Sequence, residues 1–135
     1  MVPKVRAKLN AGGGSLITSD EIVGRFAFRS DWIRLKGDPD RMVLMDVFGE
    51  SMEPVIWDGD TVLIDQHQTE LTPGRIYAVG IDGTVVVKYV DMKPGALILR
   101  SANPRWEDIE VSCQDDLEDS VKIIGRVIWW CREAR

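Results

Sequence analysis

Two side chains in this sequence, Ser51 and Lys88, have the types and settings from which a nucleophile and its base are built. Ser51 lies in the stretch Phe48–Pro54 (FGESMEP), where an apolar run ends at a glycine and a proline closes a tight turn. A serine at such a corner has two interpretations. Its hydroxyl bonds the backbone of the turn, or the bend presents it as a nucleophile.

Lys88 lies in Thr84–Val90 (TVVVKYV), a run that is apolar on both faces, as in a strand buried on both sides. Its side chain points the same way as those of Val86 and Val90, because side chains alternate along a strand. Such a lysine either reaches solvent from an edge strand, or it is buried and its pKa falls from about 10.4. A neutral amine can accept the Ser51 proton, so the two residues together suggest a Ser–Lys dyad.

The sequence contains few of the histidine and cysteine residues that a Ser-His-Asp triad or a metal site would need. The only histidine, His67, lies in the polar stretch Gln66–Glu70 and is interpreted as a loop residue. A Ser-His-Asp triad therefore has only this one candidate base. A single histidine also excludes a histidine-rich metal site. Cys113 and Cys131 show neither a CxxC motif nor metal-ligand spacing. We predict two reduced thiols in a cytoplasmic protein, with a disulfide as the alternative, and no cofactor or metal.

The composition indicates a single packed domain. The chain has 135 residues, of which 44% are hydrophobic, and five tryptophans, enough to bury a core. The net charge is −5 and the basic residues are scattered, which argues against a nucleic-acid-binding face in this segment. No apolar run approaches the ~20 residues of a membrane span, and no signal-peptide core follows the first methionine.

Apolar runs between turn signals predict a mostly β domain. The predicted strands are Arg41–Phe48, Thr61–Asp65, Arg75–Val79, Thr84–Val90, Ala96–Arg100 and Val121–Trp130. The turns between them include Asp58-Gly59-Asp60, interpreted as turn-formers rather than catalysts, and Pro73-Gly74, Asp82-Gly83 and Pro94-Gly95. Short strands with turn signals every ~8–12 residues indicate an antiparallel sandwich, barrel or coiled sheet.

Three further segments complete the predicted organisation. A short helix is predicted from Asp31 to Lys36, with Ser30 as its N-cap and Gly37 as its stop. The segment Glu107–Asp119 is interpreted as a looser acidic connection. Residues 1–20 are predicted to be a flexible linker around three successive glycines, and 21–135 to be one domain.

Four motifs, in this order, resemble the C-terminal Ser/Lys peptidase-like domain of LexA-like and phage CI-type repressors. They are Phe48–Pro54 followed by Trp57–Asp65, the lysine strand Val85–Val90, the turn Ser101-Ala102-Asn103-Pro104, and the closing strand Ile124–Trp129. Lys88 lies 37 residues beyond Ser51, a spacing typical of that family. The resemblance runs from about residue 5 to residue 131.

The resemblance implies a LexA/signal-peptidase-like fold, with coiled antiparallel β-sheets, a small barrel-like core and at most one or two short helices. It implies Ser51 as nucleophile and Lys88 as general base. The backbone N–H groups of Ser51 and Glu50 would bind the oxyanion, and Gly49 and Met52 would support the corner.

The resemblance also implies a place in gene regulation. Such domains follow an N-terminal helix-turn-helix domain, which is not found in this chain, and they form homodimers that cleave their own linker. The family's scissile bond is Ala-Gly or Cys-Gly, and Ala11-Gly12 matches it. The implied partners are a second copy, operator DNA through the missing domain, and a RecA filament in the SOS response or an anti-repressor.

Three alternatives stay open at this point. The first is a dimerisation module whose dyad is silent. The second is a polymerase accessory protein of the UmuD kind. The third is a signal-peptidase-like enzyme that acts on other chains, although no membrane anchor is present in the sequence.

Overall fold

The computed structural model describes residues 1–6, 22–112 and 121–134. Within these ranges the chain forms nine strands, one α-helix and a short 3₁₀ helix. The strands are β1 (Val2–Val5), β2 (Ile22–Phe26), β3 (Met42–Asp46), β4 (Thr61–Asp65), β5 (Arg75–Ile81), β6 (Thr84–Lys93), β7 (Ala96–Arg100), β8 (Ile109–Ser112) and β9 (Val121–Cys131). The helices are α1 (Ser30–Lys36) and the 3₁₀ helix Pro39–Arg41.

All nine described strands belong to one sheet, in the order β2-β1-β3-β4-β9-β5-β6-β7-β8. The sheet is therefore open, with β2 and β8 at its edges. A mostly β fold with one or two short helices was expected and is confirmed. The expected antiparallel pairing is found between all the other neighbouring strands, whereas β1 and β3 run parallel. These strands are joined through β2 and α1, and a connection of that length is what parallel pairing requires.

The strands with strong turn signals were predicted well. Thr61–Asp65 and Ala96–Arg100 have the predicted bounds, and the others differ only at their ends. A two-residue turn with positive φ at Asp82 and Gly83 joins β5 to β6, as the Asp-Gly signal predicted.

The N-terminal prediction needs a correction. Val2–Val5 forms β1, whose Val2 and Val5 side chains are buried, so these residues are part of the sheet and not of a linker. A four-residue strand carries too little pattern to be seen in sequence. The remainder of the predicted linker, including Ala11-Gly12, lies outside the described residues, as does Cys113; Cys131 is a free thiol.

Two other short elements were also missed or misplaced. Ile109–Ser112 lies in the predicted acidic connection, yet it pairs with β7 as an edge strand. Helix α1 starts at Ser30, and the Arg29 before it makes no side-chain cap, so Ser30 is not the N-cap. Gly37 does end the helix. Within the described residues, no helix has the length and apolar composition needed to cross a membrane.

Two groups of buried side chains lie where the candidate site is built. One packs beneath the loop between β3 and β4 and includes Met45, Val47, Met52, Ile56, Val62, Ile64 and Val87. The other packs around β5, β6 and β7 and consists of Tyr77, Val79, Val90 and Leu99. The loop and strand β6 therefore each rest on a packed apolar base.

Candidate active site

Ser51 lies in the loop between β3 and β4, and the base of this loop is closed by backbone hydrogen bonds. The Val47 N–H donates to the Asp60 carbonyl at 2.8 Å, and the Gly59 N–H donates to the Val47 carbonyl at 2.7 Å. Gly49 has a φ of +89°, in the left-handed region that L side chains disfavour. The chain can therefore turn sharply out of β3 two residues before Ser51.

The residues after Ser51 anchor the corner to the core. The Glu53 N–H donates to the Glu50 carbonyl at 3.1 Å, and the Ile56 N–H donates to the Met52 carbonyl at 2.9 Å. The Met52 and Ile56 side chains are fully buried in the core beneath the loop. Ser51 is thus held between a closed turn and a buried methionine.

Lys88 reaches the same point from the middle of the sheet. It lies in β6, where it is opposite Tyr77 of β5, and β6 pairs with β7 on its other side. Its side chain is 6% exposed. Lys88 Nζ lies 2.7 Å from Ser51 Oγ and 2.8 Å from Ser101 Oγ. Because Lys88 is buried and its amine contacts two serine hydroxyls, a lysine that snorkels to solvent is excluded.

The surroundings of Lys88 favour the neutral amine. Burial lowers the pKa of Lys88 from its ordinary value, because a charge is poorly solvated in the protein interior. Both hydrogen-bonding partners of Nζ are neutral hydroxyls, Ser51 and Ser101. In the described part of the chain no carboxylate forms an ion pair with this amine. A neutral amine in contact with a serine hydroxyl can act as a general base.

The turn after β7 supplies two residues that sequence reasoning did not assign. Ser101 is the second partner of Lys88. Asn103 holds the serine corner, because its N–H donates to the Ser51 carbonyl at 2.9 Å and its Nδ2 donates to the Glu50 carbonyl at 3.1 Å. The signal in the sequence was the Ser-Ala-Asn-Pro turn, which carries part of the family resemblance but by itself assigns no role to Ser101 or Asn103.

The predicted oxyanion donors lie at the same corner. Among the described residues, the backbone N–H groups of Glu50 and Ser51 donate to no other protein group. Their carbonyls, in contrast, accept hydrogen bonds from Asn103. Backbone N–H groups without another acceptor are what the predicted oxyanion role requires.

A cavity of about 90 Å³ opens beside Ser51. Its lining is mostly apolar and consists of Met45, Asp46, Val47, Phe48, Ser51, Met52, Val85, Val86 and Val87. The Phe48 side chain is largely exposed. This space accommodates a small apolar side chain.

The remaining predicted residues have ordinary positions. His67 is exposed in the turn after β4, in agreement with its interpretation as a loop residue. Asp60 closes the turn as its interpretation as a turn-former predicted, because its N–H donates to the Trp57 carbonyl at 2.9 Å. Its side chain is also fully buried.

The fold and this site define a serine-peptidase-like domain, and sequence comparison specifies the family. The profile of the Peptidase S24-like family matches residues 3–128, and the chain belongs to this family. The resemblance to the regulatory domain of LexA-like repressors is thereby confirmed.

Two relatives are similar over much of the chain. The HTH-type transcriptional regulator PrtR of Pseudomonas aeruginosa is 39% identical over 127 residues, which cover 91% of this chain and 49% of PrtR. The repressor protein CI of Enterobacteria phage phi80 is 40% identical over 83 residues, which cover 61% of this chain and 33% of CI. The matched part of this chain thus spans about half of PrtR and a third of CI.

Proposed function

We propose that this chain is the regulatory domain of a transcriptional repressor and that Ser51 and Lys88 cleave a peptide bond of the same polypeptide. The candidate bond is Ala11-Gly12. The observation that carries the proposal is the 2.7 Å distance between Ser51 Oγ and Lys88 Nζ, at an amine that is 6% exposed. The repressor names of both relatives support the regulatory role.

The chemistry follows from the contacts at the corner. Neutral Lys88 accepts the proton of Ser51 Oγ as this oxygen attacks the Ala11 carbonyl carbon. The carbonyl oxygen becomes negatively charged and is bound by the N–H groups of Ser51 and Glu50, and such donors are typically worth about 3–4 kcal/mol each.

Collapse of this intermediate breaks the Ala11–Gly12 C–N bond. Lys88 returns the proton to the departing Gly12 nitrogen, and an ester between Ser51 Oγ and the Ala11 carbonyl carbon remains. Water then attacks the ester as Lys88 accepts one of its protons. The ester C–O bond breaks as Lys88 gives this proton to Ser51 Oγ, which restores the hydroxyl and the neutral amine. One product then ends in the carboxyl group of Ala11 and the other begins with the amine of Gly12.

The path of the chain supports cleavage within one molecule. Val5, the last residue of β1, is opposite both Met45 of β3 and Ile22 of β2. Met45 lines the cavity beside Ser51. The segment between Val5 and Ile22 is thus tethered at both ends close to the site, and six extended residues beyond Val5 span about 20 Å. The small side chain of Ala11 suits the size of the cavity.

The regulatory consequence is a loss of avidity. A repressor dimer binds two operator half-sites far more tightly than either monomer binds one. In a polypeptide of the relatives' length with a DNA-binding domain on the N-terminal side, cleavage at Ala11-Gly12 would separate that domain from the domain that pairs the two copies. We propose a homodimer as the uncleaved form, and a RecA filament or an anti-repressor as the partner that controls cleavage.

The test is intact-mass analysis of the chain incubated at pH 7 and pH 10, beside the variants Ser51→Ala and Lys88→Ala. We expect the wild-type chain to separate into residues 1–11 and 12–135, and both variants to stay whole. Cleavage at another bond that both variants abolish would retain the dyad and reject Ala11-Gly12 as its substrate. A wild-type chain that stays whole at both pH values would favour a silent dimerisation module.

A further inference from the structure

An ion pair with one fully buried partner lies at the end of the loop that carries Ser51. The Asp60 side chain has no exposed surface, and that of Arg132 is 44% exposed. Arg132 Nε donates to Asp60 Oδ1 at 2.6 Å and Nη2 donates to Oδ2 at 2.8 Å. Two parallel bonds of this kind fix direction as well as distance.

The same pair reaches the residues that follow Ser51. The Trp57 N–H donates to Asp60 Oδ2 at 2.8 Å, and the guanidinium of Arg132 lies 5.5 Å from the centre of the Trp57 ring. The Trp57 indole N–H then donates to the Pro54 carbonyl at 2.9 Å. A continuous set of contacts therefore leads from Arg132 to a point three residues after Ser51.

Arg132 occupies a distinctive place in the chain. It comes directly after β9, whose last residue, Cys131, is opposite Thr61 at the start of β4. It also lies outside residues 3–128, the part that the family profile matches. The buried carboxylate of Asp60 is thus held by an arginine that follows the family's closing strand.

We propose that Arg132 is a positioning residue, which through Asp60 and Trp57 holds the Ser51 loop where Ser51 Oγ reaches Lys88 Nζ. This inference rests on the proposed function. The loop has no sheet partner of its own between β3 and β4 and depends on such contacts for its position. A displacement of ~1 Å at a reacting group can lower a rate by ~100-fold, so a loosened loop should slow cleavage without altering Lys88.

The test compares Arg132→Gln with Arg29→Gln in the full chain. Arg29 is the matched control because its two bonds to Asp31, at 3.0 and 2.7 Å, form a similar fork on the exposed surface. The measurements are hydrogen exchange of the amides from 47 to 60, the self-cleavage rate against pH, and labelling of Ser51 by diisopropyl fluorophosphate.

For Arg132→Gln we expect the exchange rate of the amides from 47 to 60 to rise about tenfold or more, while the amides of β4 and β9 stay protected. We expect cleavage and labelling to fall about 10- to 100-fold with the same apparent pKa in the pH profile. Arg132→Lys keeps the positive charge but cannot form the two parallel hydrogen bonds. Its cleavage and labelling rates should lie between those of the wild-type chain and Arg132→Gln. Arg29→Gln should match the wild-type chain.

Two results would overturn the inference. One is unchanged exchange from 47 to 60. The other is faster exchange throughout the sheet, together with a folded fraction that cleaves itself and reacts with diisopropyl fluorophosphate at the wild-type rate. This result is expected if Arg132 only stabilises the fold. If the wild-type chain neither cleaves nor labels, the proposed function fails. The local exchange then decides by itself whether Arg132 holds the loop.

Discussion

Ser51 and Lys88 meet at 2.7 Å, but the two residues are held there by different kinds of structure. Lys88 lies in a ten-residue strand that pairs with β5 from Thr84 to Val90 and with β7 from Tyr89 to Lys93. Ser51 lies in a loop that is held at separate points, by the bonds of Val47 at its base and by Asn103 at the corner. Strand β6 therefore determines how deeply Lys88 is buried, and the loop determines whether Ser51 Oγ reaches Lys88 Nζ.

This difference separates two kinds of sensitivity. A change at Lys88 alters the chemistry of the amine, because the surrounding sheet keeps its position whatever the side chain. A change at a contact of the loop that does not touch Lys88 should alter the distance between the reacting groups and leave the pKa of Lys88 nearly unchanged, because the strands around Lys88 keep it buried. The predictions that follow test this separation, beginning with the largest effect.

Ser51→Ala and Lys88→Met should each lower self-cleavage by at least about 10⁴-fold, because each removes one member of a unit that acts together. Their effects on stability should differ. Ser51→Ala should change the free energy of unfolding by less than about 0.5 kcal/mol. Lys88→Met should leave stability at pH 7 unchanged or raise it by up to about 2 kcal/mol, since a buried amine is replaced by an apolar chain of similar size. Denaturant unfolding and intact mass measure both.

The same pair of variants gives a pH signature. In the folded protein, burial lowers the pKa of Lys88 below its ordinary value of 10.5. Between the lowered value and pH 10.5, the unfolded chain therefore binds more protons than the folded chain. The wild-type chain and Ser51→Ala should gain stability as pH rises through this window, and Lys88→Met should lack that gain. Parallel curves for all three proteins would mean that Lys88 is not desolvated as its burial indicates.

The cleavage rate should itself rise with pH. Only neutral Lys88 can accept the serine proton, so the rate should increase nearly tenfold per pH unit below the lowered pKa of Lys88 and then level off below 10.5. Single-turnover cleavage followed from pH 5 to pH 10 measures this. A rate that does not change with pH would exclude Lys88 as the base.

Asn103→Ala tests the loop side of the comparison. It removes the Nδ2–H bond to the Glu50 carbonyl at 3.1 Å and should lower the cleavage rate about 10- to 100-fold with an unchanged apparent pKa. Asn103→Asp is the companion variant, because a carboxylate keeps the size and cannot donate. The two variants should therefore be similarly slow, and a fast Asn103→Asp chain would show that the donor is dispensable.

Ser101→Ala tests the lysine side and should have the smallest effect. Its hydroxyl lies 2.8 Å from Lys88 Nζ, and without it the amine loses one of the two contacts that orient it. We expect a loss of about tenfold in rate. Because this hydroxyl touches the amine itself, we expect the apparent pKa to move, in contrast to Asn103→Ala. Thermal unfolding serves as the control, since Ser101 is only half-buried.

The sequence predicted most of the sheet because its strands carry strong local patterns. Thr61–Asp65 and Ala96–Arg100 are apolar runs between Gly- and Pro-containing turns, and both have the predicted bounds. The elements that escaped prediction are short or lie at an edge, as β1, β2 and β8 do. Four or five residues are too few to establish a period, so only pairing with a neighbouring strand defines them.

The site divides in the same way. A serine at a glycine corner and a lysine in an apolar strand are local features, so Ser51 and Lys88 could be selected from the sequence, and the order of four motifs associated them with one family. The sequence left open whether the lysine was buried, because the same run fits an edge strand. Tertiary structure decided this by burying Lys88 against the serine corner and the turn after β7, where its amine lies 2.7 Å from Ser51 Oγ and 2.8 Å from Ser101 Oγ.

What the sequence determined by itself is therefore the set of chemical groups and the strands that carry them, since both depend on near neighbours in the chain. Only the tertiary structure brought Ser101, Asn103 and Arg132 to the corner. Their partners Lys88, Glu50 and Asp60 lie 13, 53 and 72 residues away along the chain. Hydrogen bonds over such separations leave no local pattern, because they depend on which strands become neighbours in the sheet.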